Sequence, residues 1–219
     1  MKKPQLTTNL SENLEKLHVN REKASKLFAD VIEKAVKKSK PDSLTAPTVA
    51  TDTDTPTITP KPMPLKITVL GGGSFGTAMA NLSAKNGCDV TLWVRDKRSV
   101  RAMQKNHINK KYLPDHKLDE RLQFTHDLAT AVKDKDLLFV AVPSSAFRET
   151  LQKIAPFITA QAIISLTKGM EKDTFALMSD IIAEELPNVA FGVMSGPNLA
   201  KEIINNMPSA TVIASESEA

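Results

Sequence analysis

The chain has 219 residues, of which 29 are basic and 25 acidic, and 41% are apolar. This apolar share excludes a chain that is disordered throughout, and the longest apolar run, Leu137–Val142, is far shorter than the roughly 20 residues of a membrane helix. No apolar signal-peptide core follows Met1, and the one cysteine, Cys88, cannot form an internal disulfide. We therefore expect a cytoplasmic protein without stable membrane insertion.

The first 64 residues divide into two segments of unlike composition. Residues 1–40 are rich in lysine, with apolar side chains spaced by three or four, which predicts a basic amphipathic helical extension. Residues 41–64 contain seven threonines and six prolines, which is typical of a linker. The helix could be solvated, docked on its own domain, or an interaction element for a partner. Residues 1–63 hold 11 basic and 8 acidic residues, so the nearly neutral remainder offers no basic face for nucleic acid.

From residue 65 onward, strand patterns alternate with helix patterns. We predict strands over 67–70, 90–94, 137–142, 162–166 and 190–194. We predict helices over 75–86, 127–132, 145–154 and 174–185. Continuous apolar strands separated by helices indicate a parallel sheet that is covered on both faces. Residues 65–219 are therefore predicted to form a doubly wound α/β domain.

Half of the eight glycines lie in one six-residue window, Gly71–Gly76. The window fits G-x-G-x-x-G directly after the first predicted strand and before the first helix, where the dinucleotide fingerprint of a Rossmann domain lies. Gly71 would allow the tight turn, Gly73 would let the backbone approach a pyrophosphate, and Gly76 would let helix and strand pack closely. The alternative is a turn with a structural role only.

The end of the second predicted strand bears on the choice of nicotinamide cofactor. An acidic residue there would bind the ribose of NAD, whereas an arginine suits the 2′-phosphate of NADP. Arg95 comes first, and Lys97, Arg98 and Arg101 follow it. The sequence therefore favours NADP(H), with NAD(H) as an alternative. These charges could instead form the solvated start of a helix with Asp96 as its N-cap.

Three further segments follow predicted strands, at the edge where an open parallel sheet binds ligands. Val140–Ser144 is expected to flank the cofactor. Lys168 places an ammonium group at the same edge, where it could bind a substrate phosphate, polarise a carbonyl or only cap a turn. The run Ser195–Asn198 is, taken alone, a helix entry with Pro197 in the first turn.

Together these motifs resemble the bacterial NAD(P)-dependent glycerol-3-phosphate dehydrogenase family. The resemblance covers roughly residues 65–219, and the motifs occur in the family's order. They are Gly71–Gly76, Trp93–Arg95, Tyr112–Pro114, Val140–Ser144, Thr167–Gly169 and Ser195–Pro197. The family reduces dihydroxyacetone phosphate to sn-glycerol 3-phosphate for glycerophospholipid synthesis, with hydride from C4 of the nicotinamide, so we expect an oxidoreductase of that kind.

The resemblance also implies roles for single residues. Ser74 and Phe75 would contact the cofactor at the glycine turn, Arg95 its adenosine end, and Tyr112 would border its site. Lys168 would contact both cofactor and substrate as a catalytic residue. Three contacts complete the implied site: Gly196 and Asn198 with the substrate, and Ala200 with the cofactor. The family usually has Ser or Thr at the position of Asn198, and it implies no metal.

In the family, the principal acid/base lysine and an Arg-Asn pair that holds the substrate phosphate belong to a helical C-terminal domain. The sequence stops where that domain is expected, so we expect residues 1–219 to bind cofactor without turnover. The alternatives are a catalytically silent dinucleotide-binding module and a related Rossmann dehydrogenase acting on another small carbonyl compound, such as ketopantoate. A homodimer is a further expectation.

Overall fold

The computed structural model of the chain describes residues 64–215. The predicted extension over 1–40 and nearly all of the predicted linker over 41–64 lie outside the described residues. The strands are β1 (Lys66–Leu70), β2 (Asp89–Trp93), β3 (Ile108–Asn109), β4 (Leu113–Lys117), β5 (Gln123–Thr125), β6 (Leu137–Val140), β7 (Ala162–Ser165), β8 (Phe191–Ser195) and β9 (Val212–Ala214). The α-helices are α1 (Ser74–Lys85), α2 (Lys97–Asn106), α3 (Leu128–Val132), α4 (Phe147–Ile154), α5 (Met178–Glu185) and α6 (Ala200–Ile204).

The strands form one large sheet in the order β5-β2-β1-β6-β7-β8-β9. Neighbours run parallel except β8 and β9, which are antiparallel, and Ile67 of β1 pairs with Val90 on one side and Leu137 on the other. The chain builds outward from β1 through β2 to β5, then crosses to β6 on the other side. This is the predicted Rossmann-type doubly wound fold, and the switch point at β1 is where such sheets bind ligands.

Apolar side chains on the central strands alternate between two buried layers. Ile67 and Val69 of β1 belong to the layer that includes α1, whereas Leu70 belongs to the layer that includes α4 and α5. These three side chains of β1 are fully buried. Because both faces are covered, the strands have no face in contact with solvent, which explains the mainly apolar runs in the sequence. A burial of this kind contributes about 1.5–3 kcal/mol for each large side chain.

One predicted helix begins later than its sequence suggested. The prediction over 174–185 is wrong for its first turn, because α5 starts at Met178. The hydroxyl of Thr174 donates to Glu171 (2.7 Å), and Phe175 has a φ of 58°, which ends any helix there. The carboxylate of Asp180 accepts the N–H of Leu177 (3.1 Å) and so starts the helix at the next residue. Similarly, the helix predicted over 145–154 opens as a 3₁₀ turn, and α4 proper begins at residue 147.

The β3–β4 pair, β5 and β9 were not predicted. The helix entry expected at Ser195–Asn198 begins later than predicted, because α6 starts at Ala200 with Leu199 as its N-cap, and Pro197 lies before its first turn. The N-cap alternative for Asp96 is confirmed, since its carboxylate accepts the N–H of Ser99 (2.8 Å) and the hydroxyl of Ser99 (2.7 Å) and begins α2. Only Val100 and Met103 of α2 are buried, so its apolar signal is weak. No helix among residues 64–215 combines the length and the apolar character needed to cross a membrane.

Candidate functional site

Two glycines of the turn between β1 and α1 are required by the fold itself. Gly71 has a φ of 125°, and its N–H donates to the carbonyl of Trp93 (3.1 Å). A Cβ atom at Gly71 would overlap the carbonyl oxygen of Ala141, and a Cβ atom at Gly76 would overlap the carbonyl oxygen of Gly71. These positions therefore need glycine whether or not a ligand binds.

Gly73 lies in quite different surroundings. A Cβ atom built on it would meet no residue within 4 Å apart from its chain neighbours, and its φ of −70° suits any residue. It is the N-cap of α1, which has no side-chain cap and no acidic residue in its first turn, Ser74–Thr77. The open space, the half-buried helix start and the positive end of the helix dipole together fit the approach of a phosphate group.

Asn109 of β3 holds this turn from the side. Its Nδ2 atom donates to the carbonyl oxygen of Gly72 (2.9 Å) and to the hydroxyl oxygen of Thr77 (2.8 Å). Both Asn109 and Thr77 are buried. The same hairpin carries Tyr112, whose N–H donates to the carbonyl of Asn109 (3.2 Å). Sequence reasoning missed Asn109, because a lone asparagine in a polar stretch gives no recognisable pattern.

Lys168 follows β7 and brings several predicted site residues together. Its Nζ atom donates to the carbonyl oxygen of Gly196 (3.1 Å) and to Oδ1 of Asn198 (3.0 Å), and it lies 6.0 Å from the ring centroid of Phe75. Asn198 is buried, and its Nδ2 donates to the hydroxyl of Thr211 (3.2 Å). The ends of β1, β7 and β8 therefore meet around one ammonium group.

An ion-pair network anchors the loop that follows Lys168. Arg148 of α4 donates from Nε and Nη2 to both carboxylate oxygens of Glu171 (2.8 Å each). Its Nη1 atom pairs with Glu185 (2.6 Å) and Glu184 (2.7 Å) of α5. The hydrogen bonds from the Arg148 guanidinium, and one from the Thr174 hydroxyl, lower the pKa of Glu171 to about 2. The loop is therefore anchored at Glu171, three residues after Lys168, to Arg148 of α4 and through it to α5.

The segment Val140–Ser144 flanks the glycine turn, since the carbonyl oxygen of Ala141 lies against Gly71. The N–H of Ala141 donates to the carbonyl of Leu70 (2.8 Å), which continues the pairing of β6 with β1. The buried hydroxyl of Thr167 donates to the carbonyl of Val142 (2.8 Å). This loop is therefore fixed between the glycine turn and the residue that precedes Lys168.

Arg95 and Tyr112 lie apart from the Lys168 cluster. Arg95 is exposed just after β2, and its side chain makes no hydrogen bond or ion pair with any residue in the range 64–215. Hydrogen bonds from Ser99 keep the pKa of the neighbouring Asp96 below its ordinary value. Tyr112 is 45% exposed in the β3–β4 turn, with the ammonium of Lys111 5.1 Å from its ring centroid.

The sheet order places these groups along one edge. β2 lies on one side of β1, and β6 and β7 lie on the other, so Arg95 and Lys168 are on opposite sides of the glycine turn. The arrangement offers a central anion site with a cationic side chain toward each end. The described part of the chain holds no cluster of His, Cys, Asp or Glu suited to a metal ion.

Comparisons with known proteins agree with this geometry. A family model described as NAD-dependent glycerol-3-phosphate dehydrogenase N-terminus matches residues 66–219. The glycerol-3-phosphate dehydrogenase (NAD(P)+) of Psychrobacter cryohalolentis is 63% identical over 200 residues, which are 90% of this chain and 46% of that protein. The protein of the same name from Acinetobacter baumannii is 62% identical over 154 residues, 70% of this chain and 43% of that protein.

Solved structures show the same likeness. Glycerol-3-phosphate dehydrogenase of Coxiella burnetii superposes with a TM-score of 0.67 at 36% identity, over 71% of this chain and 48% of that one. The enzyme of the same name from yeast gives a TM-score of 0.63 at 29% identity, over 69% of this chain and 47% of that one. The chain spans less than half of the length of the curated relatives described above. It belongs to the NAD-dependent glycerol-3-phosphate dehydrogenase family, whose N-terminal part it matches.

Proposed function

We propose that this chain binds a nicotinamide dinucleotide and is the cofactor-binding part of a glycerol-3-phosphate dehydrogenase. The reaction would be the reduction of dihydroxyacetone phosphate to sn-glycerol 3-phosphate, with the bound dinucleotide supplying a hydride to the ketone carbon. The observation that carries the proposal is the convergence of Phe75, Lys168, Gly196 and Asn198 beside the open glycine turn. Names of relatives more than 60% identical support the same activity.

The pyrophosphate would lie at Gly73. The N–H groups at the start of α1 would donate to it, and the helix dipole would favour its charge. Ser74 and Phe75 would contact the cofactor from the first turn of the helix. Gly71 and Gly76 would act indirectly, by letting β1 and α1 come close enough to form the turn.

Lys168 would serve the reacting end. Reduction of a ketone builds negative charge on its oxygen, and a positioned ammonium group stabilises that charge. Asn198 and Gly196 already hold this ammonium in place, and their predicted contacts with the substrate are part of the proposal. Tyr112 and Ala200 would border the cofactor at the hairpin and at the start of α6.

We also propose NADP(H) as the preferred cofactor. Arg95 and its neighbours Lys97 and Arg98 are exposed at the end of β2, where a 2′-phosphate would lie. Asp96, the acidic residue that would otherwise bind the ribose of NAD, already uses Oδ2 to cap α2. In the Arg95→Gln variant we expect NADPH affinity to fall by about tenfold and NADH affinity to change little, because only NADPH carries the extra phosphate. Equal losses for both cofactors would remove this role of Arg95.

The proposed organisation is a helical extension over 1–40, a linker over 41–64 and the Rossmann domain over 65–219. In the family the principal acid/base lysine belongs to a C-terminal domain, so we propose that residues 1–219 bind dinucleotide without turnover. The homodimer and the cytoplasmic location stay predictions. Oxidation of NADPH by purified 1–219 in the presence of dihydroxyacetone phosphate would contradict the proposal of binding alone.

Calorimetric titration of the full chain with NADH and NADPH tests the proposed function. The diagnostic variant is Gly73→Ala, because the added methyl group fits the unliganded fold but occupies the space proposed for the pyrophosphate. We expect the variant to unfold at the temperature of the parent protein and to bind dinucleotide at least tenfold more weakly. Lack of binding by the parent chain, or equal binding by the variant, would refute the proposal.

A further inference from the structure

We propose that Asn109 is a positioning residue for dinucleotide binding, which orients the Gly72–Gly73 peptide so that the N–H of Gly73 faces the pyrophosphate. The inference rests on the proposed function, since it concerns how that site is set. Asn109 lies on β3, outside the strand–turn–helix unit that the glycine fingerprint describes, so the fingerprint does not include it.

The contacts of Asn109 account for both protons of its side-chain amide group. Nδ2 donates one hydrogen bond to the carbonyl oxygen of Gly72 (2.9 Å) and the other to the hydroxyl oxygen of Thr77 (2.8 Å). Asn109 is 4% exposed and Thr77 is fully buried. A buried amide with such partners has one favoured orientation, because any rotation would leave a buried donor unpaired.

A planar peptide carries the effect of Asn109 from Gly72 to Gly73. The carbonyl of Gly72 and the N–H of Gly73 belong to one peptide unit, and peptide bonds in residues 64–215 are trans. In a trans unit the two groups point in opposite directions. Holding the carbonyl toward Asn109 therefore turns the N–H of Gly73 away from the hairpin.

The N–H of Gly73 is available to a ligand. Its nitrogen donates to no other residue within 64–215, and apart from its chain neighbours no residue comes within 4 Å of the position that a Cβ of Gly73 would take. On its other flank, the Gly72 backbone packs against the side chain of Val94, 2.6 Å from where a Cβ of Gly72 would lie. The peptide is thus confined on two sides, while the N–H of Gly73 is turned away from the hairpin and is not used by the described part of the protein.

A second buried asparagine provides a matched comparison. Asn81 of α1 accepts the N–H of Asp119 at Oδ1 (2.7 Å), so it also ties α1 to the segment that follows the β3–β4 hairpin. Asn81 is 2% exposed, as deeply buried as Asn109. It lies about one turn further along the helix than Thr77, and its side chain makes no hydrogen bond to the glycine turn within residues 64–215. Loss of either amide loosens the hairpin, but only loss of Asn109 frees the Gly72–Gly73 peptide.

The test compares the full chain with its Asn109→Ala and Asn81→Ala variants. The probes are ADP-ribose, which carries the pyrophosphate, and adenosine, which does not. For Asn109→Ala we expect the Kd of ADP-ribose to rise by about tenfold, the usual effect of losing one hydrogen bond to a charged group, and that of adenosine to change by less than about twofold. For Asn81→Ala we expect both affinities to stay near those of the parent chain, whatever the fall in melting temperature.

A selectively ¹⁵N-glycine-labelled sample provides an independent readout, because the chain has only eight glycines. ADP-ribose should shift the Gly73 amide resonance in the parent chain and in Asn81→Ala, and shift it less in Asn109→Ala. If Asn109→Ala does not fold, Asn109→Ser is measured in the same way.

Equal affinity of the Asn109 variant and the parent for ADP-ribose would overturn the inference and leave the proposed function intact. A parallel loss for adenosine, or an equal loss in Asn81→Ala, would also overturn it by showing a general loosening of the fold. Failure of the parent chain to bind ADP-ribose, NADH and NADPH would instead refute the proposed function.

Discussion

The ammonium of Lys168 donates to Oδ1 of Asn198 over 3.0 Å, in a contact that joins the ends of two strands of the sheet. The other end of the Asn198 amide donates to Thr211, so the amide oxygen is the atom that faces the lysine. A second acceptor, the carbonyl of Gly196, lies 3.1 Å from the same ammonium. Lysine side chains at a protein surface are usually mobile, and one that is already restrained loses less entropy when a ligand binds.

Replacement of Lys168 by methionine should weaken dinucleotide binding without unfolding the protein. The side chain is exposed, but its loss leaves Oδ1 of the buried Asn198 without its donor, so we expect the free energy of unfolding to fall by about 1–2 kcal/mol while the chain stays folded. The lost positive charge should raise the Kd of NADPH by about tenfold at low salt, and by less at high salt because ions screen the attraction. Calorimetric titration at two salt concentrations measures both effects. The control is Lys172→Met, an exposed lysine of the same loop, and equal affinities in both variants would contradict the prediction.

Substitutions of Asn198 should separate the charge near Lys168 from the size of the side chain. Asn198→Asp is nearly isosteric but would place a carboxylate against the ammonium, which would then attract an anionic ligand less. We expect its affinity for NADPH to fall by about tenfold. Asn198→Ser replaces the amide by a hydroxyl group, which can still accept a hydrogen bond from the lysine, and should bind within about threefold of the parent. Titration of both variants in one buffer gives the comparison, and tighter binding by the Asp variant than by the Ser variant would refute it.

The parts of the fold that could be predicted carry local signals. Leu137–Val140 is a run of apolar residues because both faces of its strand are buried, and Gly71–Gly76 marks a turn that no other residue type could form at its ends. The hairpin of β3 and β4 has no such signal. Its residues are mostly polar and exposed, and the contact of Asn109 with Gly72 spans 37 residues.

The position of the site at the strand ends could be predicted from the sequence, but the contacts that anchor its loop could not. Parallel strands end at one edge of a sheet, so the meeting of Lys168 with Gly196 and Asn198 follows from the order of the motifs. The anchoring of the Lys168 loop does not follow. It depends on Arg148 meeting Glu171 across 23 residues, and charged residues on a helix are ordinarily solvated. The same network explains why α5 starts late, since the chain up to residue 177 belongs to the anchored loop.

Alanine at Gly71 should destabilise the protein, whereas alanine at Gly73 should leave its stability nearly unchanged. Gly71 has a φ of 125°, and a methyl group there would overlap the carbonyl oxygen of Ala141, so Gly71→Ala should lower the free energy of unfolding by about 2–4 kcal/mol. Gly73→Ala adds its methyl group to open space and should stay within about 0.5 kcal/mol of the parent. Urea unfolding followed by circular dichroism measures both. Equal destabilisation by the two variants would show that the turn is packed differently from this description.

Removal of Arg148 should change how stability depends on pH. The pKa of Glu171 in the folded protein is about 2, against an ordinary value of 4.5, so folding favours its ionised form. That contribution is complete above about pH 5, and it is lost as the pH falls from there toward 2, because the carboxylate then takes up a proton. In Arg148→Met the partner is gone and three carboxylates, those of Glu171, Glu184 and Glu185, face one another. We expect this variant to be less stable than the parent at pH 7, with a difference that shrinks as the pH is lowered to 3.

Urea unfolding at pH 7, 5, 4 and 3 measures this difference. Asp119, whose pKa the Arg121 side chain lowers to about 2, titrates in the same range, but it is unchanged in the variant and cancels from the comparison. The matched control is Lys153→Met, which removes a pair with Glu149 whose side chains are 58% and 66% exposed. Such surface pairs contribute little, so this control should follow the parent at every pH. If the Arg148→Met curve also runs parallel to that of the parent from pH 7 to 3, the Arg148–Glu171 pair does not stabilise the loop that carries Lys168.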